Sequence, residues 1–351
     1  MKAARVTLVC NVKNTFVMKD VELLESMGYF VYLIHSPPYR DPVRFLFNRL
    51  RELILIIYYL PQSEALFSWF NDYHSFIPIS LARLLGKSSI IIVGGYDAVA
   101  NTTLKHGIFL RNNIRQSIAR SNYLKANEIW VVHKSLADGC PSAEQESYTK
   151  SGIKKFIPNL KTPILEVPTA YDSNFWKSKN PKNKKTIITV ANITDIRTFK
   201  IKGISMFIQL AKLLPDFKFT LAGIQNKLSV YDSLPKNLTL LGKQTRDQLK
   251  VLYGTHSYYF QGSQIEGLPN VLCEAMLCKC VPIGRRVFGI PDAIGNTGLL
   301  FDSKESLGKI MSFLRDNNNK RGLMAREQII ENYPIKRRRN AFKKVLIHSK
   351  E

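Results

Sequence analysis

The stretch SYYFQGSQIEGLPNVLCEAMLCKCVPIG, residues 257–284, runs strand, loop, helix, strand, and its core is IEGLPNVLCEAMLCKCVPIG from Ile265 to Gly284. Two glutamates, Glu266 and Glu274, stand eight positions apart around the helix start, with no basic residue between them. SYYFQ ends near Gly262, and the loop runs from Ser263 to Gly267. Pro269 suits the first helical position, where its missing N–H costs nothing. Asn270, Glu274 and Cys278 share one face at i, i+4 spacing, and Leu272, Ala275 and Met276 cover the opposite, core-facing side. Glu274 is therefore expected to project from the helix one turn in. Between the two acids lie the backbone N–H groups of Gly267, Leu268 and Asn270. Such a helix start attracts phosphate through its orphan donors and dipole. Each carboxylate can accept hydrogen bonds from a vicinal diol, so the arrangement suits a phosphorylated sugar. On the two acids alone, a dipole-stabilising loop acid and a solvated helix acid explain the pattern equally well.

Outward from this unit the same alternation fills the chain. In the first half, ARVTLVCNV, YFVYLIHS, ALFSWF and SSIIIVGG read as strands, with helices at 17–28 and 75–86 between them. EIWVVHKS and KKFIPN continue the alternation. The polar, lysine-rich segment YDSNFWKSKNPKNKKT (171–186) breaks it, which sets a domain boundary there. It then restarts with TIITVANI, a helix at 204–215, FKFTLAG, LTLLG, a helix at 245–254, SYYFQ, CVPIG and TGLLFD. Alternating strand and helix implies parallel sheets wound on both faces. The expected architecture is α/β, with two doubly wound, Rossmann-like domains, 1–176 and 177–334, facing a cleft. The basic helix at about 335–351 is expected to pack back on the first. Ligands in such sheets bind beyond the carboxyl ends of the strands, so the chemistry belongs in the cleft.

Composition narrows the classes. A chain of 351 residues with 45% hydrophobic side chains suits two soluble domains. No apolar run is long enough to span a bilayer or to serve as a signal peptide, and a cytoplasmic protein is the expectation. Five cysteines, three of them at 273, 278 and 280, give no disulfide framework. With no histidine or second cysteine pair nearby, they read as small packing residues rather than a metal site. The net charge of +24 is concentrated in the second half and attracts phosphorylated ligands, anionic lipid or nucleic acid. The basic excess is mostly loop lysine without an aromatic platform, so nucleic acid is not the expected partner.

The Glu266–Glu274 stretch, with Gly267, Leu268, Pro269, Asn270, Ala275, Met276 and the VPIG that follows, resembles the Glu-x7-Glu motif of the family 4 glycosyltransferases. These are retaining enzymes of the GT-B fold. TVANITDIRTFKIKG resembles the family's strand and loop leading to a phosphate-binding lysine before glycine, here Lys202–Gly203. LTLLGKQTRDQLKVLY is similar to its base-binding segment, and TAYDSNFW to its interdomain turn. The resemblance implies a metal-independent glycosyltransferase that moves sugar from a nucleotide-diphosphate sugar to a glycan, lipid-linked or other acceptor. Glu266 would hold the donor sugar, Glu274 the ribose and Lys202 the diphosphate, with Leu241 and Gly242 near the base. Asn192 stands where the family usually has an arginine, so Arg197 or Lys200 is left to supply a second cation. There is no Asp-x-Asp, and no metal or other cofactor is expected. Rival readings are another nucleotide-sugar enzyme of this fold, such as an epimerase, and a basic nucleic-acid-binding protein.

The acceptor side is less legible. VGGYDAVANTTLKHG supplies Gly94 and Gly95 for close backbone approach and Asp97 to orient a substrate hydroxyl, with His74 and His106 as further candidates. The segment 39–61 mixes Arg40, Arg44, Arg49 and Arg51 with Phe45, Leu46, Phe47, Leu50 and Leu53. It reads either as a core helix with a solvated edge or as a peripheral element lying on an anionic membrane surface.

Overall fold

The computed structural model describes residues 4–39, 41–178, 181–226, 228–302, 306–316 and 320–348. Arg40 and residues 349–351 of the expected C-terminal helix lie outside them. Two parallel sheets of six strands each carry the chain. The first has the order Phe30–His35, Arg5–Cys10, Ala65–Trp69, Ser88–Val93, Glu128–Val131, Ile164–Glu166. The second has the order Leu238–Gly242, Lys218–Ile224, Asn183–Ile193, His256–Gln261, Val281–Arg285, Leu299–Phe301. Their strands are continuous apolar runs because both faces are covered: Ile90, Ile91, Ile92 and Val93 are all buried.

Two local expectations differ from the structure. KKFIPN is not a strand: Ile153–Phe156 forms one helical turn after Gly152, and the edge of the first sheet is Ile164–Glu166. Only Ile153 of that turn is buried, too little to anchor a strand. Pro269 is the N-cap of the Asn270–Leu277 helix rather than its first residue, with extended backbone at φ −75°, ψ 108°. Ile290–Ile294 forms a further short helix.

One core cluster runs from the first sheet through Tyr171 and Trp176 into Leu272, Met276 and Ile290 of the second half. The helix Ile335–His348 returns to the first sheet, where Phe342 lies 5.0 Å from the Phe67 ring and 5.3 Å from Trp130. Arg338 on this helix is buried and donates to both carboxylate oxygens of buried Asp20 and to the carbonyls of Val167 and Pro168.

The Pro42–Tyr59 helix is capped by Asp41, whose side chain accepts from Arg44 N. It buries only Glu52 and Ile56. Val43, Leu46, Phe47, Leu50, Ile54, Ile57 and Tyr58 are exposed, and at 100° per residue they form one stripe bordered by Arg51 and Arg44. Phe45 turns inward instead, its ring 5.5 Å from Tyr73. No helix among the described residues is long and apolar enough to cross a membrane.

Candidate active site

Both glutamates have basic partners, brought from far along the chain. Lys202 Nζ lies 2.6 Å from Glu266 Oε2. Lys202 caps the short helix Ile196–Ile201, and Gly203 follows in the left-handed region at φ +66°. A Cβ on Gly203 would sit 2.0 Å from the Gly262 carbonyl oxygen, so glycine is what lets this turn rest on the Glu266 loop. Gln264 N donates to Ile201 O at 2.8 Å and ties the two segments together.

Glu274 does not project into solvent. It is 5% exposed, and its Oε1 accepts from Lys19 Nζ at 2.6 Å. Lys19 belongs to the Thr15–Ser26 helix of the first domain and lies 4.8 Å over the Tyr171 ring. The periodicity at 270–278 correctly separates a polar from an apolar face. At Glu274 the polar face meets Lys19 of the first domain rather than water. Residues Leu272–Leu277 are all buried.

Opposite Glu266 the first domain presents Gly94 and Gly95. These two glycines, with Tyr96, His106, Lys202, Glu266 and Gly267, line a cavity of about 180 Å³ between the domains. A Cβ on Gly267 would lie 2.6 Å from Gly94 O. The His106 imidazole is pushed down to about 4 by burial and then by the Arg197 and Lys202 charges, so it is neutral at pH 7. It sits edge-on to Tyr96 with 5.1 Å between ring centroids. Elsewhere across the cleft Asp292 accepts from His133 at 3.1 Å and pairs with Lys134 at 3.0 Å.

Residues 171–333 match the family model described as glycosyl transferases group 1. Over 283 residues the chain is 30% identical to N-acetyl-alpha-D-glucosaminyl L-malate synthase of Bacillus anthracis, covering 74% of this chain and 69% of that protein. The chain belongs to the group 1 glycosyltransferases. Solved structures agree on the GT-B fold. Sucrose-phosphate synthase from Thermosynechococcus elongatus superposes with a TM-score of 0.73 at 13% identity over 98% of both chains. Anabaena HepE, solved in complex with UDP and glucose, does so with 0.69 at 10% identity over 98% of this chain and 99% of that one.

In this glycosyltransferase Lys202, Glu266 and Gly267 share the interdomain cavity. Leu268 and Pro269 are buried, and Asn270 opens the helix. Arg197 does not join Lys202 on Glu266. It lies 3.8 Å from Asp195 and lines a neighbouring cavity with Lys105, Arg111 and Arg115. Leu241 and Gly242 end the edge strand and line neither cavity.

Asp97 requires correction as a catalytic candidate. It is fully buried, accepting from Gly94 N and Gly95 N through one oxygen and from Asn71 N through the other. Burial raises its carboxyl to about 6. Its carboxylate shapes the Gly94–Gly95 loop from behind. His74 is likewise interior, its Nε2 3.0 Å from Trp69 O. All five cysteines are free and buried. Among the described residues no group of three or more histidine, cysteine or acidic side chains is placed to hold a metal. Sequence reasoning missed Lys19, whose only signal is a lone lysine beside Asp20 on an otherwise apolar stretch of helix.

Proposed function

We propose that this glycosyltransferase uses a nucleotide-diphosphate sugar, retains the donor's anomeric configuration and needs no metal. The observation that carries the reading is the Lys202–Glu266 pair, held in the interdomain cavity beside Gly267. A lysine there supplies positive charge to a leaving diphosphate. Glu266 then exchanges its lysine partner for sugar hydroxyls, and Glu274 exchanges Lys19 for the ribose diol. The loop amides of Gly267 and Leu268 and the first helical amide, Asn270 N, suit the phosphate and sugar oxygens. The buried Asn270 Oδ1 and Gln261 Oε1, both without a partner, are further polar groups for a ligand. In the proposed step the acceptor hydroxyl oxygen bonds to the anomeric carbon on the face from which the phosphate departs. The bond from that carbon to the phosphate oxygen breaks, and a phosphate oxygen takes the hydroxyl proton. No protein nucleophile enters.

The HepE complex makes UDP the first nucleotide to test. A screen of nucleotide sugars by thermal stabilisation and slow hydrolysis identifies the donor without an acceptor. With that donor, turnover should survive a chelator, and Lys202→Ala should slow it by about a hundredfold or more, the scale for losing one preorganised charge stabiliser. Activity abolished by chelator and restored by magnesium would overturn the metal-free reading.

A peripheral membrane location is favoured by the exposed stripe of the Pro42–Tyr59 helix. Seven large apolar side chains with arginines at one border match the apolar and anionic layers of a bilayer surface. The acceptor on this reading lies in or near that surface, on the cytoplasmic side.

A further inference from the structure

We propose that the acceptor carries an anionic group, phosphate or carboxylate, that docks in the cavity lined by Lys105, Arg111, Arg115 and Arg197. The proposal rests on the donor reading above, which fixes which side of the cleft remains for the acceptor. The cavity holds about 230 Å³, and no acidic side chain lines it. Three cations come from the first domain and one from the second, so the pocket is complete only when the domains face each other. Tyr96 lines both this cavity and the one holding Glu266 and Lys202. A group seated here therefore lies next to the reacting sugar.

All four cations are exposed, and two of them lie beside carboxylates. Asp72 pairs with Arg115, and Asp195 lies 3.8 Å from Arg197. Lys105 and Arg111 have no carboxylate partner among the described residues. Lys105 is held at φ +48°, a conformation that side-chain-bearing residues adopt at a cost. Its turn is pinned by buried Asn101, which accepts from Leu104 N and donates to Ser147 O and Thr149 Oγ1. Arg115 stands in the first turn of the Ile114–Lys125 helix, whose dipole adds to the same field. The depressed His106, next to this cavity, responds to that field through Arg197. Tyr73 lies between the pocket and the membrane-facing helix, with Arg115 5.9 Å and Arg49 4.7 Å from its ring. A lipid headgroup and a free acid of similar size both meet the chemistry.

The test uses full-length protein saturated with UDP, so that the diphosphate site is filled, and titrates inorganic phosphate by calorimetry. Phosphate should bind, and the double variant Lys105→Gln/Arg111→Gln should bind it at least tenfold more weakly with UDP affinity unchanged. Equal phosphate affinity in the two proteins, or none in the parent, overturns the proposal. Should UDP itself fail to bind, the donor reading falls. The same titration on Lys202→Ala without nucleotide then still reads this cavity, with the same two outcomes. Glycerol 3-phosphate and vesicles of phosphatidylglycerol, offered at equal headgroup concentration, separate the sources. Whichever the double replacement weakens at least tenfold is the source, and weakening of neither overturns the proposal.

Discussion

At the scale of single residues, the proposed donor site rests on two glutamate–lysine pairs. Glu266 and Glu274 each hold a lysine where the proposed donor offers hydroxyls. Glu274→Ala should weaken nucleotide binding by roughly 1.5–3 kcal/mol, the scale for hydrogen bonds to a charged group. Unchanged affinity in a folded variant would sink the ribose role. Lys19→Met separates the two partners of Glu274. It leaves a buried carboxylate unpaired, which costs on the order of 3–5 kcal/mol where one member of a buried pair is removed. Bound ribose would satisfy that carboxylate again. The variant should therefore melt lower than the parent and gain more from saturating nucleotide, measured by thermal unfolding. An equal gain in both proteins would mean that ribose does not reach Glu274. Buried titratable groups set the pH response. His74 falls from 6.5 to about 4 on burial, so it contributes stability above pH 6.5 that is lost as pH falls toward 4. His106 acts in the same sense over the same window. Asp97, raised from 3.8 to about 6, acts oppositely between those values. Two histidines outweigh one aspartate, so urea midpoints should rise from pH 4.5 to pH 7. His74→Asn should flatten that rise, and an unaltered slope would show that His74 is not its source.

At the scale of elements, what was legible followed periodicity, and what was hidden depended on which surface an element meets. Continuous apolar strands such as SSIIIVGG were readable because both faces of a parallel sheet are covered. The strand–helix–strand unit around Glu266 was readable from its loop glycines and apolar helix. The pairing of Glu274 was not, because Lys19 lies 255 positions away and no local pattern encodes that contact. The same limit applied to Asp97: a polar residue after two glycines looks alike whether it faces a cleft or caps its own loop. The Pro42–Tyr59 helix shows both effects. Its mixture of arginine and apolar residues was plain, yet Phe45 was grouped with residues that point the other way. Phe47→Ser/Leu50→Ser removes two exposed side chains, so stability should change little. Retention on vesicles containing phosphatidylglycerol should fall at least tenfold, with salt weakening what remains. Retention on neutral vesicles should be slight from the start. Unfolding of the double variant would mean that the stripe is core. Full retention would mean that another surface makes the contact.

At the scale of the whole molecule, the proposed site lies where two domains that share one core cluster face each other. Their backbones come together where Gly94 faces Gly267, and the Lys19–Glu274 and His133–Asp292 contacts lie to either side. The helix Ile335–His348 follows the second domain in sequence yet seats Arg338 on Asp20 of the first, so the chain crosses between domains twice. The domains are thus joined through two chain crossings, and Gly267 lies at a separate contact, against Gly94. Gly267→Ala adds a methyl group 2.6 Å from the Gly94 carbonyl oxygen and 2.7 Å from a Val132 methyl. The Val132 side chain can rotate, but the carbonyl is backbone held by the loop that Asp97 fixes, so the domains must part instead. The groups assigned to the nucleotide, Lys202 and Glu274, belong to the second domain and do not move relative to each other. The variant should therefore bind nucleotide within about threefold of the parent and lose turnover by about a hundredfold, the scale for a misplacement of the reacting groups near 1 Å. Small-angle scattering with nucleotide bound should give a larger radius of gyration than for the parent. If turnover falls and the radius stays the same, the added methyl acts on the bound sugar directly, and the glycine is needed for substrate approach rather than for closure.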